Sequence, residues 1–303
     1  MSGLSGARGL SAVTKDDLYV RGTQTLLASW EEYAGAAPGA EMWRLPGVTA
    51  AVFPCGPERD FYNNALLQRG LSAAERAAAI DAMEAAYAAA GVGRFAAWVH
   101  ESDAATRGAL ERRGYTLDQT TRAMGMALDD IRLPRPRIGS ASANWAEYLR
   151  IFGLPDDLLS GADHELFHLA VVRLNGLGVA AALAFDHAED CGIYNVGTVP
   201  WARRRGLATA LTTLQAHDAR TRGRLTASLQ STAAAERVYH AVGFRDLGLI
   251  LEYVPPAATS GRPGHTQASC TLHSPDFSRY AERCGTLGIR VAAAGDLTHR
   301  ELI

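Results

Sequence analysis

Gly192-Ile-Tyr-Asn-Val-Gly-Thr-Val-Pro-Trp-Ala-Arg-Arg-Arg-Gly206, continued by Leu207 to Ala219, is the stretch on which the reading of this chain turns. Ile193, Tyr194, Val196 and Val199 make its first part apolar and β-prone, and Pro200 ends that run. Three arginines, Arg203 to Arg205, lead into Gly206. Beyond it Leu207, Leu211 and Leu214 recur at the spacing of one helical face. Strand, basic turn, glycine and helix together describe an anion site. The first turn of a helix carries unpaired N–H donors and the positive end of the backbone dipole. Gly206 lets a ligand approach the backbone closely, and Ala208 and Thr209 are small enough to keep that surface open. Read alone, three arginines also describe an ordinary solvated turn.

The rest of the chain narrows the choice. A length of 303 residues predicts two domains, because single cores stop growing near ~250–300 residues. The formal charge of −2 carries no polyanion signature, so no nucleic acid partner is expected. No apolar run is long enough to span a bilayer, the Ala85–Val99 piece being broken by Arg94, and no membrane partner is expected. The first 17 residues lack the apolar core of a secretion signal. Cys55, Cys191, Cys270 and Cys284 have no paired spacing for zinc or for a disulfide framework, and the expected setting is a reducing cytoplasm. Lys15 is the only lysine among 30 basic residues, and it sits in a polar leader. A P-loop and a pyridoxal Schiff base both need a lysine in a defined context, so both classes fall away.

Local patterns predict a helix within Thr23–Tyr33, strands over Val48–Phe53 and Phe61–Leu67, and a helix over Ser72–Ala90. Ser72 with Glu75 is a capping-box pair for that helix, and Gly91 ends it. Phe95–His100 reads as a strand, Asp103–Arg113 as a helix, Thr120–Leu128 as a strand, and 131–143 as a Pro- and Ser-containing linker. The second half reads as helix Trp145–Phe152, a second helical piece at Asp156–Leu159, and strands Leu166–Leu174 and Val179–Phe185 joined at Asn175-Gly176. Strand Gly192–Val199, the helix from Leu207, strand Leu225–Gln230, helix Thr232–Val242 and strand Leu247–Val254 follow. Such an order predicts an α/β fold on a mixed sheet. Ser102 to Gly114 and Ser231 to Gly243 both span twelve positions, each pair framing a helix before an aromatic and a strand. That match suggests a duplication, with Gln68-Arg69-Gly70-Leu71 where the first copy's basic loop should be.

Arg203-Arg204-Arg205-Gly206-Leu207-Ala208 fits Arg/Gln-x-x-Gly-x-Gly/Ala and resembles the acyl-CoA pyrophosphate loop of the GCN5-related N-acetyltransferases (GNAT). Ala234 to Phe244, a helix carrying Tyr239 shortly before Gly243-Phe244, resembles the family's second signature. Two linked signatures at family-like spacing are a far stronger sign than either alone. The resemblance implies two tandem GNAT-like domains: residues 1–133 without a working cofactor site, 134–256 as the catalytic domain, and 257–303 as linker and extension. It implies acetyl-CoA as acyl donor, lying between two splayed parallel strands, and a small-molecule primary amine as acceptor. It assigns the cofactor to Thr198, Val199, Arg203, Arg204, Arg205, Gly206, Leu207, Ala208, Thr209 and Ser231. Backbone N–H groups from Val196 to Val199 are expected to polarise the thioester carbonyl. Tyr239 is the expected general acid toward the departing thiolate, a role for which a phenol is a suitable donor. Its alternative is packing at the helix–sheet boundary.

The base stays open among Tyr194 and Asn195 of the strand, Asp186, His187, Glu189 and Asp190 of the preceding turn, and Glu252. Tyr194 is assigned to the cleft lining because it alternates onto the face of Val196 and Thr198. His164 and His168 stand four apart, but on a strand rather than a zinc-binding helix, so no metal is expected. The tail from Ser274 to Val291 resembles a fragment of thiamine-diphosphate enzymes such as acetolactate synthase. The chain has no Gly-Asp-Gly diphosphate motif, so thiamine diphosphate binding does not follow. A catalytically silent CoA-binding regulatory module is the alternative function, and a homodimer is left open.

Overall fold

The chain runs twice through one succession of elements, helix–strand–strand–strand–helix–strand–helix–strand, in the computed structural model, which describes residues 13–54, 63–138, 144–153, 162–163 and 165–256. The first pass is α1 (Lys15–Ala36), β1 (Glu41–Leu45), β2 (Val48–Val52), β3 (Asn64–Leu67), α2 (Ala73–Ala89), β4 (Ala96–His100), α3 (Ala104–Arg112) and β5 (Thr116–Ala127). The second is α4 (Trp145–Phe152), β6 (Phe167–Leu174), β7 (Leu177–His187), β8 (Asp190–Thr198), α5 (Leu207–Thr221), β9 (Thr226–Ser231), α6 (Glu236–Val242) and β10 (Arg245–Val254). The helical piece expected at Asp156–Leu159 and the tail from residue 257 lie outside the described residues.

The ten strands of the described residues form one mixed sheet in the order β1-β2-β3-β4-β10-β5-β9-β8-β7-β6. The sheet does not divide at the 133/134 boundary expected from the sequence. The final strand of each half lies in the other half's territory. β10 pairs antiparallel with β4 and with β5, while β5 pairs antiparallel with β9. Within each half the central pair is parallel, β3 with β4 and β8 with β9.

One face of the sheet is covered by α2, α3, α5 and α6. There Ile80, Met83 and Tyr87 of α2 pack on Val48, Ala50 and Val52. Ala216 and Ala219 of α5, with Tyr239 and Val242 of α6, pack on Met124, Met126, Ala227 and Leu229. The opposite face carries α1 and α4. α1 is longer than the Thr23–Tyr33 helix expected from sequence and is no leader. Thr14 caps it, its hydroxyl accepting from Asp17 N while the Asp17 carboxylate accepts from Thr14 N. Leu26 and Trp30 of α1 pack on Ala51, Phe53, Leu66, Trp98, Ala123 and Ile250, whereas its Tyr33 stacks on Phe167 at 5.5 Å. α1 thereby touches strands from both halves. Gly22 permits this approach, since a Cβ there would lie 2.7 Å from Ser228 Cβ.

Candidate active site

β8 and β9 start as paired neighbours and then part. Their register covers Asp190↔Thr226, Cys191↔Ala227 and Gly192↔Ser228. β8 runs on to Thr198 against β7, and β9 runs on to Ser231 against β5, so a wedge opens between the two strands toward their C-terminal ends. In the first half β3 ends at Leu67, one residue past its last partner, and leaves no comparable extension.

A bulge sets the direction of the open strand. Leu183 pairs with Tyr194 and Ala181 with Gly197, so Asn195 and Val196 together face Ala182. An extra residue on one strand bends it and steepens its twist. Asn195 takes φ 48°, a left-handed conformation that asparagine tolerates better than most residues. Its Nδ2 donates to the Tyr148 hydroxyl of α4 at 2.7 Å. Gly197 admits the ring of Phe152, which would stand 2.3 Å from a Cβ at that position. The sequence reading missed this bulge. An asparagine two residues before a glycine within a strand was the signal.

At the mouth of the wedge, α5 starts with bare amides. Gly206 is its N-cap at φ 75°, with no side-chain cap, and a Cβ at Gly206 would meet nothing within 4 Å. The first helical bond is Ala210 N to Gly206 O, which leaves the amides of Leu207, Ala208 and Thr209 unclaimed among the described residues. The equivalent helix of the first half is plugged. Ser72 Oγ accepts from Glu75 N at 3.3 Å, and the Glu75 carboxylate accepts from Ser72 N at 2.9 Å. Arg204 and Arg205 are exposed beside Gly206, whereas Arg203 turns back and donates its Nε to Thr198 O at 3.1 Å. Bare amides, a glycine cap and two free-standing guanidinium groups fit a diphosphate.

Val199 differs from its expected role. Its N–H donates to Val179 O at 2.9 Å, so it is committed to β7 and cannot face a ligand in the wedge. Amides alternate along a strand, and that of Thr198 points the opposite way, into the opening. Ser231 closes β9 with its hydroxyl donating to Thr232 O at 2.8 Å.

Tyr239 is almost completely buried on α6, with its ring 6.1 Å from Phe244 and in the same cluster as Ile193 and Leu229 from the wedge strands. Burial pushes its phenol up to about 12, and the hydroxyl has no hydrogen-bond partner among the described residues. Tyr194 is placed otherwise than alternation suggested. The bulge at Asn195 interrupts the alternation with Val196 and Thr198, and the Tyr194 ring folds back over Gly192. Its hydroxyl is sealed near Ser29 of α1 without a well-aligned hydrogen bond, and burial raises it well above the ordinary phenol range. A hydroxyl turned under α1 is not available to the wedge.

The base candidates are all held elsewhere. Asp186 takes both oxygens to Arg222 at 2.8 Å, with His168 Nε2 3.6 Å away. Glu189 pairs with Arg21 at 2.6 Å in the turn before β8. His187 pairs with Asp190 in register at the closed end of the wedge. Asp190 itself is buried and accepts from Thr226 Oγ1 at 2.7 Å and Ser228 Oγ at 2.6 Å. Glu252 lies mid-sheet between Trp98 and Gln119, two strands away from β9. His164 lies outside the described residues. Under α1 a cavity lined by Gly22, Thr23, Trp98, Gln230 and Leu247 has room for only about a water or two, so it is a packing gap.

No protein-family model matches the sequence, and no curated protein matches it. Solved structures do. A GCN5-related N-acetyltransferase from Kribbella flavida superimposes with a TM-score of 0.58 at 20% identity, covering 81% of this chain and 98% of that one. A GCN5-related N-acetyltransferase from Sphaerobacter thermophilus gives 0.54 at 17% identity, with 84% and 96% covered. An acetyltransferase of the GNAT family from Colwellia psychrerythraea gives 0.50 at 16%, with 77% and 96% covered. At these identities the likeness is one of architecture: the chain has the mixed α/β fold of the GCN5-related N-acetyltransferases.

Proposed function

We propose that the protein is an acyl-CoA-dependent N-acyltransferase, with acetyl-CoA as donor and a primary amine as acceptor, and that residues 134–256 carry the reaction. The observation that supports this most strongly is the pairing of an opened parallel strand pair with an uncapped helix N-terminus at its mouth. Residues 1–133 serve as a second GNAT-like unit without a cofactor site. The plugged N-terminus of α2 and the short β3 support that division of labour.

The donor supplies an activated acyl group in its thioester. The amides of Leu207, Ala208 and Thr209, with the charges of Arg204 and Arg205, hold its diphosphate. Arg203 acts indirectly, keeping the turn folded back on Thr198 O. The Thr198 N–H, directed into the wedge, offers a backbone donor for the pantetheine or the acyl oxygen. Tyr239 holds a proton at its hydroxyl in an apolar pocket, where a phenol stays neutral at physiological pH and is poised to donate to a departing thiolate. Amine attack occurs directly, without an acylated side chain. No carboxylate among the described residues stands free in the wedge, which favours an amine that arrives neutral or loses its proton to water.

The test is release of free thiol from acetyl-CoA across a panel of n-butylamine, amino acids, an aminosugar and a peptide N-terminus, alongside CoA binding by calorimetry. Turnover with at least one amine, slowed by Tyr239→Phe at unchanged CoA affinity, is expected. Removing a general acid costs ~10²–10⁴-fold in rate. CoA binding without turnover for any amine would make the protein a regulatory module. Absence of CoA binding would overturn the reading altogether.

A further inference from the structure

α6 has seven residues and no side-chain cap at Ala235, so little within its own sequence fixes it. Residues of the other half hold both of its ends. At the start, Arg122 of β5 places Nε 2.8 Å from Glu236 Oε1, an ion contact without hydrogen-bond alignment, and donates Nη1 to Asp246 Oδ2 at 2.6 Å. At the far end, the Arg132 N–H donates to Val242 O at 2.9 Å and its Nη1 to His240 O at 3.2 Å. Gly243, at φ 132°, lets the chain pass Asp130, whose carbonyl oxygen would stand 2.7 Å from a Cβ. Arg122 sits opposite Ser231, the last residue of β9, because β5 rather than β10 is the neighbour of β9. Glu236 and Tyr239 are three apart on one helix and so share a face.

We infer that Arg122 is a positioning residue for Tyr239: by tying Glu236 to β5 and Asp246, it sets where α6 sits over the wedge and hence where the phenol points. The strand exchange is what delivers it, since Arg122 belongs to the half that lacks the opened strands. The second half is therefore incomplete without the first. This inference rests on the role proposed for Tyr239, and its test separates the two.

The experiment uses the full chain and four variants: Arg122→Ala, Arg122→Lys, Glu236→Gln, and Arg122→Ala combined with Tyr239→Phe. Three quantities are read: thiol release with acetyl-CoA and the best amine of the panel (n-butylamine by default), CoA affinity, and hydrogen exchange over residues 236–244. A displacement of about 1 Å at a reacting group costs on the order of a hundredfold in rate. Arg122→Ala is expected to lower kcat about ten- to a hundredfold with CoA affinity unchanged and α6 amides exchanging faster. Arg122→Lys should recover part of that loss. Glu236→Gln, which leaves the Arg122–Asp246 pair intact, should copy the pattern if Arg122→Ala does not fold. In the Tyr239→Phe background Arg122→Ala should add almost nothing, because both act through one hydroxyl. Multiplying losses in the double variant overturn the inference. If Tyr239→Phe alone has no effect, the role of Tyr239 fails, and the exchange data then decide whether Arg122 holds α6. Unchanged protection in Arg122→Ala overturns that too.

Discussion

Tyr148→Phe should loosen the bulge that opens the sheet. Tyr148 is fully buried on α4, and its hydroxyl accepts from Asn195 Nδ2 at 2.7 Å. Asn195 stands at φ 48°, a conformation that costs a non-glycine residue ~1–2 kcal/mol and therefore needs support. Phenylalanine keeps the ring in place between Trp145 and Phe152 but strands a partly buried amide donor. Leaving such a donor unpaired costs ~1–3 kcal/mol. For a chain of this size each kcal/mol moves Tm by about 1.5–2 °C. Urea unfolding followed by circular dichroism should therefore give a stability loss of about 1–2 kcal/mol at unchanged m-value. The decisive comparison is in the Asn195→Gly background, where neither the donor nor the strain remains. There the same Tyr148→Phe change should be nearly neutral, giving a coupling energy of ~1 kcal/mol. Equal costs in both backgrounds, or no cost in the parent, would show that this bond does not hold the bulge.

Two further outcomes follow from particular contacts. Gly22→Ala places a methyl 2.7 Å from Ser228 Cβ and should cost about 1–3 kcal/mol by lifting α1 from β9, as calorimetric Tm will reveal; an unchanged Tm contradicts that packing. Asp190→Asn tests the buried carboxyl, whose protonation burial favours even against the hydroxyl donors Thr226 and Ser228, so its value is raised above the ordinary 3.8. A raised native value means the folded state binds more protons than the unfolded one above about pH 4, so wild-type stability falls as pH rises through the native value. The Tm of Asp190→Asn relative to wild type should accordingly climb over that window and then level off. A difference independent of pH would refute the assignment.

The parts legible in the sequence were those whose information is local. Ser72 and Glu75 announce α2, and both groups make the reciprocal cap. Asn175-Gly176 announces the β6–β7 turn, and both residues adopt positive φ. The strand–Gly206–helix signature stands where its pattern put it. Only the middle of α1 is legible, because Gly22 and a polar first turn break the apolar rhythm and because its capping acid is Asp17 instead of glutamate. β1 escapes the sequence reading because it is only five residues long, at the sheet edge, with Glu41 and Arg44 interrupting its apolar positions. α6 starts at Glu236 rather than Thr232, the intervening residues forming a turn. Strand exchange was beyond reach, since nothing in β5 or β10 records which neighbour each will pair with. For the same reason the contacts of Arg122 were invisible. Alternation placed Tyr194 in the cleft because the bulge that interrupts its period was not recognised.

CoA binding by calorimetry to the wild-type chain and to Gly206→Asp tests the central claim most directly. Aspartate tolerates the left-handed cap, and its carboxylate would add a negative charge beside the first-turn amides, where it repels a diphosphate. Binding by the wild type, weakened at least tenfold (about 1.4 kcal/mol) in a variant that still folds, is the predicted result. Equal affinity in the two proteins, or no binding by the wild type, would contradict it.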